Sequence, residues 1–458
     1  MDLVIKNGTI VTATETYKAD IGCQNGEITS IGKEVKGDQK IDAEGLYVFP
    51  GAVDMHTHLD MPFGGSVSSD DFYTGTVAAA CGGTTTIIDF AIQTQGSTLK
   101  EALDTWMKKA EGKAVTDYGF HVAITDLPPE RMKEIPQMVE QGVTSFKLFL
   151  AYKGALMVDD ATFYQALKMA RKYRALICVH AENGDVIDVL IKNLLKEGKT
   201  EPYYHAVSRP NKAEGEATFR AIALAEMAEA PIYIVHLTCA EALEKVRFAR
   251  DKGLPVYAET CPQYLLLDVE RYKEPNFNGA KYVMSPPLRE AWNQELLWDG
   301  LKSGDLQVIS TDHCPFNFTG QKDMGKDDFS KIPNGAPGIE TRIPLLYTEG
   351  VVKGQFSVNK MVELTATNPA RLFGLLPEKG TIAVGADADI VLFDPKKEVT
   401  LRQSMLHQNV DYTPYEGMKV TGYPVKTIVA GKVVVDNGEF IGEKGTGKYI
   451  KRKQFHRL

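Results

Sequence analysis

Thr84-Thr85-Thr86-Ile87-Ile88-Asp89-Phe90, then Thr98-Leu99-Lys100-Glu101-Ala102-Leu103-Asp104-Thr105-Trp106-Met107, then Gly119-Phe120-His121-Val122-Ala123-Ile124: the reading of this stretch decides the fold. Its outer segments are apolar runs without alternation, as strands covered on both faces should be. Its middle opens with the capping box Thr98-x-x-Glu101 and carries Leu99, Ala102, Leu103, Trp106 and Met107 on one helical face. The pattern repeats outward in both directions. Further strand candidates are Tyr47–Val53, Val143–Leu150, Ala175–Val179, Ile232–Val235, Pro255–Ala258 and Leu306–Ser310, and a second clear helix from Ala161 carries Phe163, Ala166, Leu167 and Ala170. Eight strands separated by helices predict an α/β fold, a (β/α)8 barrel, whose usual extent is ~250 residues. A doubly wound open sheet is the competitor, but no Gly-x-Gly-x-x-Gly follows the first strand.

Both chain ends read differently. Leu3–Ile5 and Thr9–Val11 flank Asn7-Gly8, and a second strand pair flanks Asn25-Gly26, each a hairpin signal. The same texture returns in Asp389–Phe393, Lys426–Ala430 and Lys432–Val435, closed by Asp436-Asn437-Gly438. The expected organisation is a barrel over 51–370 and a small β-sandwich domain assembled from 1–50 and 371–458. The last residues form a basic tail with Lys444, Lys448, Lys451, Arg452, Lys453 and Arg457 against Glu443. An acidic patch of the same or a neighbouring subunit is its expected dock, and a free terminus is the alternative.

Composition removes several classes. The 458 residues hold 43% hydrophobic and 24% charged residues, so the bulk of the chain has material for a large core. Lys+Arg number 52 against 60 Asp+Glu, a net charge of −8, which argues against a nucleic-acid partner. No apolar run reaches the ~18 residues of a membrane span, and no secretory signal opens the chain, so a cytoplasmic address is expected. The six cysteines are scattered without a Cys-x-x-Cys pair, which points to reduced, buried thiols.

The chemistry-bearing residues gather at strand ends. Asp54-Met55-His56-Thr57-His58 ends the first barrel strand, and residues two apart on a strand share a side, so His56 and His58 can share one metal ion. His180 ends the fifth strand, His236 the sixth and Asp312 the eighth, where barrel active sites lie. Of the other histidines, His121 falls inside a strand and reads as structural. His313 follows Asp312 directly and should face away from it. In Ser145-Phe146-Lys147-Leu148-Phe149 a lysine interrupts a core strand, with Ser145, Lys147 and Phe149 on one side and Phe146 and Leu148 toward the helices. Either a nearby carboxylate pairs with Lys147, or burial lowers its pKa until the free amine captures carbon dioxide. The resulting carbamate can bridge two metal ions roughly 3.5–4 Å apart.

These residues resemble the amidohydrolase superfamily, and within it the cyclic amidohydrolases of the dihydropyrimidinase and D-hydantoinase group. The resemblance spans the chain through Leu3–Gly8, His56-Thr57-His58, Gly82-Gly83-Thr84-Thr85, Lys147 with Tyr152, His180-Ala181-Glu182-Asn183, His236, Met284-Ser285-Pro286-Pro287-Leu288-Arg289, Asp312-His313-Cys314 and Asn334-Gly335. It implies two divalent ions per subunit, one held by His56, His58, carbamylated Lys147 (N6-carboxylysine) and Asp312, the other by the same carbamate, His180 and His236. Zinc suits such ligands, with manganese, cobalt or nickel as alternatives. It further implies that hydroxide opens a cyclic ureide or imide to an N-carbamoyl amino acid. In that reaction Asp312 moves the proton, Tyr152 stabilises the oxyanion, and Ser285 and Asn334 grip the amide face. Loop residues Phe63, Phe149, Leu156 and Met157 would form an apolar pocket for a ring substituent. The assembly implied is a homotetramer or homodimer, without nucleic acid or membrane. Dihydroorotases place an arginine after the His-x-His, where Leu59-Asp60 stands here. Allantoinase is the nearest alternative. The non-enzymatic collapsin response mediators lack the complete ligand set.

Overall fold

The computed structural model describes residues 1–455 and 457, so His456 lies outside the described residues. Eight parallel strands lie side by side in chain order: Ala52–Thr57, Thr84–Ile92, Asp117–Ala123, Ser145–Phe149, Leu176–His180, Ile232–Ile234, Val256–Thr260 and Val308–Ile309. A parallel bridge between Thr57 and His313 joins the last strand to the first, with His58 N donating to His313 O at 2.8 Å, and the sheet closes. This is the barrel read from the strand–helix alternation.

The helices pack as their apolar spacing dictates. Leu99–Ala110 starts at Thr98 with both capping-box bonds in place and buries Leu99, Ala102, Leu103 and Trp106. Trp106 Nε1 also donates to Asp89 Oδ1 at 3.1 Å, pinning the helix to the strand before it. Asp160–Tyr173 buries Phe163, Ala166, Leu167 and Ala170. Each large side chain so buried contributes about 1.5–3 kcal/mol. Strand parity follows the same logic. Phe146 and Leu148 join the core under the helices, whereas Ser145 faces inward and its Oγ meets His121 Nδ1.

Two local expectations need correction. The run Tyr47–Val53 is not one strand. Tyr47–Pro50 belongs to a seven-stranded sheet outside the barrel, and the first barrel strand begins at Ala52. A continuous apolar run carries no mark of where one buried strand stops and the next begins. Asn7-Gly8 is also not a hairpin turn. Leu3–Lys6 pairs with Asp20–Gln24 and Gln39–Asp42, while Thr9–Val11 pairs with Thr16–Lys18 and Tyr47–Pro50, so the chain crosses between two sheets there. Gly8 is needed for a close approach: a Cβ would run into the Val48 side chain. Asn25-Gly26 does turn as expected, with φ of 54° and 85° joining Asp20–Gln24 to Glu27–Gly32.

The seven-stranded sheet mixes both chain ends, adding Ile390–Thr400, Lys419–Val429, Lys432–Asp436 and Glu439–Phe440 to the N-terminal strands. Leu3, Ile5, Ile10, Ile21 and Val48 share one apolar cluster with Ile390, Leu392 and Ile428, and so tie the two ends together.

The basic tail packs on the chain's own barrel, with Lys448 N donating to Asp117 Oδ1 at 2.9 Å. It runs along the barrel strands on backbone bonds, Ile450 N to Tyr118 O (2.8 Å) and Arg452 N to Gly142 O (3.1 Å). The Arg452 side chain is 4% exposed and donates to the carbonyls of Phe120 and Phe373, while Lys453 pairs with Glu378. All six cysteines are free and buried. No helix among the described residues is long and apolar enough to cross a membrane.

Candidate active site

The C-terminal ends of the strands bring His56, His58, Lys147, His180, His236 and Asp312 into one recess. Asp312 Oδ1 lies 3.1 Å from His56 Nε2 and 3.2 Å from His58 Nε2, and Lys147 Nζ lies 3.0 Å from His56 Nε2. On the other side His180 Nδ1 is 2.9 Å from His236 Nε2. His236 and Asp312 adopt left-handed backbone angles, φ 38° and 53°, unusual for side chains of their kind and found where the surroundings enforce them.

Burial sets the charges. It drives the His58 imidazole down to about 3 and holds His180 and His236 below the ordinary histidine range, so these rings are neutral with lone pairs free to ligate. His56 goes the other way: burial and Lys147 push it down, but Asp312 and Glu259 outweigh them. Burial alone would raise Asp312, yet His56 and His58 hold its carboxyl well below the carboxylate range. Burial also lowers Lys147, which sits over the rings of Phe90 (4.2 Å) and Phe149 (5.0 Å) and makes its hydrogen bond to an imidazole rather than a carboxylate. The pairing alternative for Lys147 finds no partner among the described residues.

This donor set suits divalent cations. One ligand atom each from His56, His58 and Asp312 falls within 4.8 Å of the others, near enough for the three to converge on a single ion. His58 Nδ1 and His236 Nδ1 are buried without a hydrogen-bond partner among the described residues.

Two carboxylates that sequence reasoning passed over orient the histidines. Glu259, fully buried at the end of the seventh strand, accepts from His56 Nδ1, Tyr233 OH (3.0 Å) and His236 N (3.1 Å). Glu182 Oε2 lies 2.7 Å from His180 Nε2. Such partners fix which ring nitrogen is turned toward a metal. Burial alone would raise Glu182, but His180 and Arg209 hold it at about 2. The seventh strand candidate stops at Ala258, whereas the strand runs on through Glu259 to Thr260. An acid in Tyr257-Ala258-Glu259 was the available signal.

Tyr152, at φ 65°, stands between Phe63 (ring centroids 5.4 Å) and His180 (5.3 Å). This enclosure pushes its phenol up to about 12, against the opposing pull of Arg209, Ser285 and Asn334. Asn334 Nδ2 donates to Ser285 Oγ at 2.9 Å, and Arg209 Nε reaches the same oxygen at 3.2 Å. Phe63, Phe149 and Leu156 lie on the apolar side of the recess, as expected. Met157 does not line it: its backbone pairs with Phe149 and its sulfur turns toward Gly184. Met61 and Ile92 take that place.

The remaining histidines among the described residues are accounted for locally. His121 bonds Ser145 and Met55 O, and His205 bonds Met284 O. His313 turns away to Asp70 and the amides of Gly338 and Ile339. A second cluster, Cys81, Glu340 and His407, is a clasp: both Glu340 oxygens already accept from His407, at N (2.7 Å) and Nδ1 (2.8 Å).

Residues 47–434 match the amidohydrolase family, and residues 1–49 match the urease alpha-subunit N-terminal domain. The chain is 54% identical to a D-hydantoinase of Geobacillus stearothermophilus, over all of this chain and 98% of that one. Its structure superposes on a dihydropyrimidinase from Brevibacillus agri with a TM-score of 0.99, at 52% identity and full coverage of both. An L-hydantoinase from Arthrobacter aurescens is more distant, with a TM-score of 0.90 and 32% identity over 98% of this chain and all of that one.

Proposed function

The chain belongs to the amidohydrolase family, and from that membership we propose a two-metal hydrolase that opens 5,6-dihydropyrimidines and 5-substituted hydantoins to N-carbamoyl amino acids. His56, His58 and Asp312 would hold one divalent ion and His180 and His236 the other, with a carbamate on Lys147 shared between them. Zinc suits these donors, and manganese, cobalt or nickel would also fit. A buried amine of lowered proton affinity, without a carboxylate partner, is suited to take up carbon dioxide. Bound there, the ion pair would supply a water acidic enough to attack near neutral pH and positive charge for the carbonyl oxygen.

The residues around the ions do the rest. Asp312 takes the proton of the attacking water and returns it to the ring nitrogen as the C–N bond breaks. The Tyr152 phenol, protonated at neutral pH, donates to the carbonyl oxygen as negative charge builds there. Ser285 and Asn334 hold the amide edge of the ring, and Phe63, Phe149 and Leu156 receive the 5-substituent. Likeness to D-hydantoinases supports the D enantiomer of the product. We extend the reading to a homotetramer or homodimer, as the resemblance implies, at a cytoplasmic address.

The observation that carries this reading is Asp312 Oδ1 within 3.2 Å of two imidazole nitrogens, in the recess that Tyr152 also lines. Metal analysis of protein purified from medium with zinc and bicarbonate tests it. About two ions per chain, with a loss in Lys147→Ala, supports the site. A wild type without tightly held metal overturns it.

A further inference from the structure

Lys322 is wholly buried, yet it touches neither the proposed metal ligands nor a carboxylate. Its Nζ donates to Val283 O at 2.8 Å and Pro333 O at 2.9 Å. Those carbonyls lie two residues before Ser285 and one before Asn334, the pair joined by the 2.9 Å bond from Asn334 Nδ2 to Ser285 Oγ. Gly335 N also donates to Val283 O at 3.0 Å, so the two loops meet at the lysine. The fit is close: Gly335 has φ 147° and a Cβ there would strike Cys314 O.

The neighbouring residue extends the junction to a third element. Gln321 Nε2 donates to Ser66 Oγ (2.6 Å) and Val67 O (2.8 Å), in the small hairpin of Pro62–Phe63 and Ser66–Val67 that carries Phe63 over Tyr152.

Stability does not explain a lysine here. An unpaired buried ammonium is costly, and that cost offsets what its two bonds to backbone carbonyls contribute. The titratable groups that interact with Lys322 are the Cys314 thiol and the His205 imidazole, and neither offers a counter-charge of the carboxylate kind. Burial brings the amine down to about 7, and a neutral amine has two N–H donors for the two carbonyls it meets.

We propose that Lys322 is a positioning residue, stapling the Ser285 loop to the Asn334 loop and so fixing the spacing of the groups that grip the amide edge of the ring. The inference rests on the ring-opening reading above. Its loss should weaken ring binding while sparing the chemical step.

Lys322→Met keeps the apolar stem and removes both donors. Steady-state kinetics with dihydrouracil should show KM raised about tenfold and kcat lowered less than threefold. Metal content should be unchanged. Lys322→Gln retains N–H donors on a shorter reach and should give an intermediate KM. If Lys322→Met does not fold, Lys322→Gln carries the test on the same split. A KM within twofold of wild type in the folded variant, or a loss confined to kcat, overturns the staple. A wild type inert toward dihydrouracil and hydantoin defeats the ring-opening reading itself, and the staple with it.

Discussion

An amine enclosed by Phe90 and Phe149, bonded to an imidazole and to no carboxylate, is a poor device for stability and a good one for carbamate chemistry. Lys147→Ala should therefore remove ring-opening activity by at least ~10³-fold, and short carboxylic acids added to the assay should restore part of it. Full activity without the lysine would refute its role. Glu259 acts through other residues. Glu259→Ala frees the His56 ring and should weaken metal binding about 10–100-fold in a chelator competition. Unchanged affinity would show that the carboxylate is only a core hydrogen-bond partner. His205 gives a pH signature. Burial and Arg209 hold it down to about 3, whereas an unfolded histidine titrates near 6.5. Between those values the unfolded chain binds a proton that the folded chain refuses, so stability rises with pH across the window. The loss on acidification is about 1.4 kcal/mol per pH unit below 6.5 for this one group. His205→Gln should flatten the slope of melting temperature against pH between 6.5 and 5, and an unaltered slope would reject the assignment.

At the scale of elements, what could be read from the sequence was what has a period or a cap. Thr98-x-x-Glu101 and the apolar spacing behind it became a helix with the expected buried face, and Lys147 and Ser145 turned inward as alternate counting requires. Where the period is silent, the reading stopped. Tyr47–Val53 hid a change of sheet, and Asn7-Gly8 carried a turn signal where the chain instead crosses between sheets. Glu259 and Lys322 show the same limit at the site. Their importance comes from partners 203 and 39 residues away, to which no local pattern points. The tail is another such case. Its charges suggested an acidic dock, but Arg452 is held by two backbone carbonyls. Arg452→Ala should cost about 2 kcal/mol in denaturant unfolding and leave kcat unchanged, because its bonds go to the carbonyls of Phe120 and Phe373 and to none of the proposed ring-binding residues. The exposed neighbour substitution Lys451→Ala should stay within about 0.5 kcal/mol. Equal effects from the two would mean that the tail is held by its backbone alone.

For the molecule as a whole, the barrel places ligand-bearing strand ends in a ring, and the loops above them supply a phenol, an amide and an apolar wall. Each part has a separate structural cause, but only their convergence specifies a reaction. The most direct measurement is the initial rate of ring opening by zinc-loaded wild-type protein, supplied with bicarbonate, on dihydrouracil, a 5-substituted hydantoin and allantoin in parallel. The account predicts turnover of the first two, well above allantoin, with the D-configured N-carbamoyl amino acid as the hydantoin product. Inertness toward both rings, or allantoin opened far faster than either, would contradict it.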